Sequence, residues 1–143
     1  MKNKLVLVML TACVCFAVSS SQVSAAHCDY TSLYSEIGES YHISPELLEA
    51  LNDSDNTAIA RSVVNNVPDC ADRMQQLGVS DLDDPSSSIE IEASYLFDLF
   101  VDYEDIEPVV ATYLGVAEDS SEVSKIVAET YMLETEHGKH TYY

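Results

Sequence analysis

Tryptophan is absent from the 143 residues, and basic side chains are scarce: six lysines and arginines stand against 25 aspartates and glutamates. A chain so poor in positive charge has no footprint for nucleic acid and is repelled by anionic membrane surfaces. Without tryptophan, the nine tyrosines carry most of the aromatic surface on which a sugar ring could stack. The four histidines, and the two cysteines beyond the N-terminal stretch, are scattered without ligand spacing, so no metal centre is indicated, and no cofactor is implied. Beyond the N-terminal stretch, no apolar run is long enough for a membrane span. Internal repeats and low-complexity linkers are lacking too.

What is present begins with a leader. Lys2 and Lys4 precede the apolar run LVLVMLTACVCFAV (Leu5 to Val18), and a small-residue stretch ends in the pattern Val23, Ser24, Ala25. This reads as a secretory signal peptide over 1–25, cut after Ala25. The competing LTAC stretch (Leu10 to Cys13) resembles a lipoprotein box. It leaves only about five apolar residues ahead of it, short of the roughly 7–15 of an h-region. The expected destination is therefore the periplasm or the exterior, with no membrane attachment after cleavage. Residues 26–135 then form one domain and 136–143 a polar tail.

Losing the leader removes two basic residues and leaves four against 25 acids, a net −21. The acids run from Asp29 to Glu136 and read as solvated helix faces, with docking onto a basic protein as the functional alternative. Of the cysteines only Cys28 and Cys70 remain, and in an oxidising compartment one disulfide between them is the natural outcome. Closing a loop of about 40 residues contributes on the order of 3–4 kcal/mol in the entropic picture.

Apolar spacing predicts an all-α fold. A first helix, capped by Thr31, carries Leu33, Ile37 and Tyr41 and ends near His42. A second, capped by Ser44 with Pro45 in its first turn, carries Leu47, Leu48 and Leu51. Pro68 starts a short helix with Cys70, Ala71, Met74 and Leu77 that Gly78 stops. After a turn over 81–85, Ser87 and Glu90 form a capping-box pattern ahead of Ile89, Ala93, Leu96 and Phe100. Ile106, Val109, Val110 and Tyr113 define another helix ending at Gly115. Val123, Ile126, Val127 and Tyr131 define the last, which starts near Ser120 or Ser121.

The order of these elements, with the fragments ISPELLEAL, LGVSDLDDP, ASYLFDLF and ATYLG, is similar to the catalytic domain of the soluble lytic transglycosylases. These have a goose-type lysozyme-like fold and cleave peptidoglycan glycan strands. The resemblance covers Leu33 to Tyr131. It implies a compact lysozyme-like helical domain and places a single catalytic acid after the helix of Leu47, Leu48 and Ala50. At that address stands Asp55, followed by Asn56 where the family has serine. The family's Gly-Leu-Met-Gln segment corresponds to Ser62 through Asn65, and the stretch from Asp55 to Ser62 is shorter than in the family. The family's Tyr-Asn pair is Tyr113-Leu114. Asn65 and Tyr113 are thus the implied substrate-binding residues.

Enzymes of this family, as the resemblance implies, use one glutamic acid as general acid and then base, the sugar's own 6-hydroxyl being the nucleophile. That acid must stay protonated near neutrality, which requires an apolar pocket. Asp55 is one methylene shorter, which draws the carboxyl back by on the order of 1 Å. It is intrinsically more acidic and has Asp53 two residues away. Glu36, Glu39, Glu46 and Glu49 read as solvated. Tyr41, Tyr95, Tyr113 and Tyr131 lie on or beside core stripes. Asn52-Asp53-Ser54 matches a glycosylation acceptor, relevant only in a eukaryotic secretory pathway. The functional expectation is a protein that acts on or binds peptidoglycan glycan strands, with turnover compromised at Asp55. The alternative is a non-catalytic acidic envelope module for a basic protein partner.

Overall fold

Proline, glycine and short polar side chains punctuate the chain into helices, and a computed structural model describes residues 30–52 and 56–138. Seven helices lie within these residues: α1 (Thr31–Tyr41), α2 (Pro45–Leu51), α3 (Asn56–Asn66), α4 (Cys70–Leu77), α5 (Pro85–Asp102), α6 (Ile106–Leu114) and α7 (Ser121–His137). No strand occurs among the described residues, so the fold is all-α. The expected leader, Cys28, Asp53, Asp55 and residues 139–143 lie outside them.

The helix ends show how local chemistry was resolved. Thr31 does not cap α1 but is its first residue, after Tyr30. Ser44 precedes α2 without capping the backbone, because its hydroxyl is drawn to the Glu46 carboxylate at 2.9 Å. Ser87 is not a cap either. Asp84, one residue before Pro85, accepts from both the Ser87 amide and the Ser87 hydroxyl, at 3.1 and 2.8 Å. An ionised carboxylate accepts more strongly than a hydroxyl at a helix start, so the helix begins earlier than the capping box suggested. Ser120 does cap α7, accepting from the Val123 amide at 3.2 Å. Gly78 and Gly115 end α4 and α6 in the left-handed conformation, as expected of glycine after a helix. Pro68 lies in the turn before α4 rather than starting it.

The stretch before Pro68 belongs to α3, a helix additional to those expected from the sequence. Ile59, Val63 and Val67 recur every fourth residue and are all buried, which is a helical stripe. α5 is the central element, packed against α1, α3, α4 and α6, while α7 lies across α2 and α6. Because neighbours surround α5, its burial extends well beyond one stripe: Ile89, Ile91, Ala93 and Leu96 are fully buried, and so is Glu92. Leu47 and Leu48 from α2, Val109, Val110 and Tyr113 from α6, and Val123 from α7 complete the same core. Tyr131 departs from expectation. It is 48 % exposed, since the inward face of α7 is set by Val123, Val127, Thr130 and Glu134.

Candidate functional site

The polar interior centres on a carboxylate that four helices share. At the end of α2 the backbone turns extended at Asn52, which folds the amide back. Its Nδ2 donates to the Leu48 carbonyl at 2.7 Å and to Glu92 Oε2 at 2.5 Å. From α6, the Tyr113 hydroxyl donates to Glu92 Oε1, also at 2.5 Å. Ser62 Oγ of α3 lies 3.3 Å from the Tyr113 oxygen and itself accepts from Asn66 Nδ2 at 3.1 Å. With its one proton committed to Glu92, Tyr113 accepts from Ser62. The donors therefore run in one direction, Asn66 to Ser62 to Tyr113 to Glu92, and such a chain polarises cooperatively.

Glu92 is 0 % exposed. Burial raises its pKa from an ordinary 4.5 to about 7, and the donors Tyr113 and Asn52 pull the other way. Desolvation of a charge outweighs two hydrogen bonds to it. Burial and then the Glu92 charge push the Tyr113 phenol well above its ordinary 10. Tyr34 is raised by the same two causes, burial first. Both hydrogens of the Asn52 amide face acceptors, which fixes its orientation. Its Oδ1 is buried without a hydrogen-bond partner among the described residues.

Asn52 also faces outward. With Ala50, Leu51, Lys125, Ile126 and Glu129 it lines a cavity of about 230 Å³. A second cavity of about 280 Å³ adjoins it across Lys125 and Ile126 and is walled by Leu114, Val116 and Glu122. Together they form a groove along α7 that reaches the edge of the Glu92 network at Asn52. This groove offers side chains that a ligand can reach. Glu92 itself has both oxygens occupied and no path to solvent, so it cannot hand a proton to a bound molecule in this arrangement.

A second buried carboxylate corrects the expectation of a solvated face on α2. Glu46 is 1 % exposed. It accepts from Ser44, and the Nδ1 of His137 lies 3.9 Å from its Oε1. The packing of α7 over α2 is what covers it.

Of the predicted site residues, Asn65 and Tyr113 stand in different settings. Asp55 lies outside the described residues. Asn65 is exposed on α3 and takes no part in the network, where its neighbour Asn66 does. Tyr113 is 1 % exposed and turned inward. Cys70 is half-buried at the start of α4, its thiol pKa raised by burial against the pull of Arg73. Its expected partner Cys28 lies outside the described residues. Glu92, Asn52 and Lys125 were missed. Glu92 did leave a signal, because it stands three residues after Ile89 and four before Leu96, on the apolar face of its own helix.

Among the described residues no group of three His, Cys, Asp or Glu side chains could hold a metal ion. Nor is any helix there long and apolar enough to cross a membrane. Compared with protein-family models, with curated proteins and with solved structures, the chain matches none.

Proposed function

We propose that this is an exported, lytic-transglycosylase-like domain that binds peptidoglycan glycan strands without cutting them. The lysozyme-like arrangement and a Cys28–Cys70 disulfide belong to the same reading. One observation carries it. Tyr113, the tyrosine at the family's site position, spends its hydroxyl on the buried Glu92 instead of presenting it to a ligand. Glu92, whose pKa burial raises, is sealed inside, while the groove beside Asn52 stays open.

The test is co-sedimentation of the mature chain with purified sacculi, run beside an assay for released anhydromuropeptides. Binding without release is the expected result, unchanged in Asp55→Asn. Release that disappears in Asp55→Asn would overturn the non-catalytic reading and make Asp55 the acid. Failure to sediment would remove peptidoglycan altogether.

A second reading has its own support. Phe97 and Val101, one turn apart on α5, are 42 % and 71 % exposed, and the exposed Asp98 and Asp102 follow them in sequence. An apolar strip rimmed by acids suits a basic protein partner. Capture from envelope extract that is lost as salt rises would favour it.

A further inference from the structure

Glu122, Lys125, Ile126 and Glu129 occupy positions i, i+3, i+4 and i+7 of α7 and therefore share one face. They run for about 10 Å along the helix. Lys125 lines both halves of the groove, with Glu122 in one half and Glu129 in the other. The polarity along the groove is minus, plus, minus. Lys125 forms no ion pair among the described residues, so its ammonium remains available. Beside it lies an apolar wall of Leu114, Val116 and Ile126, all half-buried.

This pattern selects by charge. A ligand bearing only carboxylates meets one ammonium between two glutamates, on a chain of net −21 once its leader is removed. A ligand bearing only ammoniums meets Lys125 at the centre. A zwitterion satisfies both, its carboxylate on Lys125 and its ammonium on Glu122 or Glu129. The apolar wall then accepts a methylene stem. Each half of the groove falls slightly below the roughly 300–1,000 Å³ of small-molecule sites, and the two combined fall within it.

We propose that this groove holds the zwitterionic amino-acid end of a diamino acid in the peptide stem carried by the glycan strand. The inference rests on the glycan-strand reading above and names the part of that polymer recognised at α7.

The probe is a stem tripeptide ending in meso-diaminopimelic acid, titrated into the mature chain by NMR or calorimetry. The control tripeptide ends in lysine, which keeps the side-chain ammonium and lacks the side-chain carboxylate. The diaminopimelate peptide should bind more tightly, and Lys125→Met should weaken it about threefold to fivefold, the worth of one exposed ion pair. The same variant should leave the lysine peptide unaffected. Equal binding of the two peptides, or no effect of Lys125→Met, overturns the proposal. Sacculi stripped of peptide separate the two readings. Sedimentation with stripped sacculi but no tripeptide binding leaves the glycan reading standing and removes this one. Tripeptide binding without sedimentation does the reverse.

Discussion

The Tyr113 hydroxyl donates to Glu92 Oε1 at 2.5 Å where neither side chain meets solvent, Glu92 being 0 % and Tyr113 1 % exposed. A phenol from α6 and a carboxyl from α5 thus share one closed compartment, which α2 and α3 complete through Asn52 and Ser62. The charge of that compartment depends on a single proton.

That proton makes stability depend on pH. Glu92 has its pKa raised from 4.5 to about 7 in the folded chain, so between these values the native state binds more protons than the unfolded state. Stability is then fully present below about pH 4.5 and is lost as pH rises through about 7. The loss is on the order of 3 kcal/mol. Repulsion among the surface acids slopes the same way, so the measurement is a difference. Urea unfolding at pH 5 and pH 8 should show a smaller pH effect in Glu92→Gln than in the wild type. Equal slopes would exclude an ionising Glu92.

Tyr113→Phe removes one donor from Glu92 and leaves Ser62 without its acceptor. A cost of about 1–3 kcal/mol is expected for the unmet groups. It should be larger at pH 8 than at pH 5, because the lost bond favours the charged carboxylate and its absence raises the Glu92 pKa further. The same unfolding experiment reads this, and a loss independent of pH would contradict it.

Glu46→Ala should destabilise by about 2–3 kcal/mol, since it strands the buried Ser44 hydroxyl and opens a void between α2 and α7. Glu36→Ala, at an exposed position on α1, should stay within about 0.5 kcal/mol. Thermal melts of the two variants make the comparison, and a matching effect would mean that Glu46 is solvated after all.

Gly38→Ala sets helix propensity against packing. Alanine is favoured in a helix by about 1 kcal/mol. Yet a Cβ at Gly38 would stand 2.6 Å from the Ile43 carbonyl oxygen and 3.2 Å from Pro45 Cγ. The corner between α1 and α2, turned by His42 at φ 56°, closes directly over that glycine. Packing should win, with a net loss of about 1–3 kcal/mol. A raised melting temperature would show that the corner can open.

The α1, α2, α6 and α7 segments were legible because their apolar residues repeat at helical spacing and glycine or hydroxyl residues mark several of their ends. The stripe of Ile59, Val63 and Val67 was equally regular. It gave no helix expectation because polar residues surround it. Glu46 and Glu92 were illegible for another reason. Charge on a helix normally signals solvent, and only the packing of α7 over α2, and of four helices around α5, reverses that sign. Caps failed at Ser44 and Ser87 where a carboxylate two or three residues away bound the hydroxyl. The Gly38 corner depends on a left-handed histidine, which no propensity anticipates.

The absence of tryptophan acquires an optical consequence from this interior. Near-ultraviolet absorption, dichroism and emission of the folded chain come from its tyrosines. Tyr113 is deeply buried, and its ring centroid lies 6.3 Å from that of Tyr95. An excited phenol gives its proton readily to a carboxylate that accepts from it, and its emission is quenched as it does so. Ionising Glu92 should therefore dim Tyr113, and protonating it should restore the light. The protein carries its own indicator of a proton held out of reach of solvent.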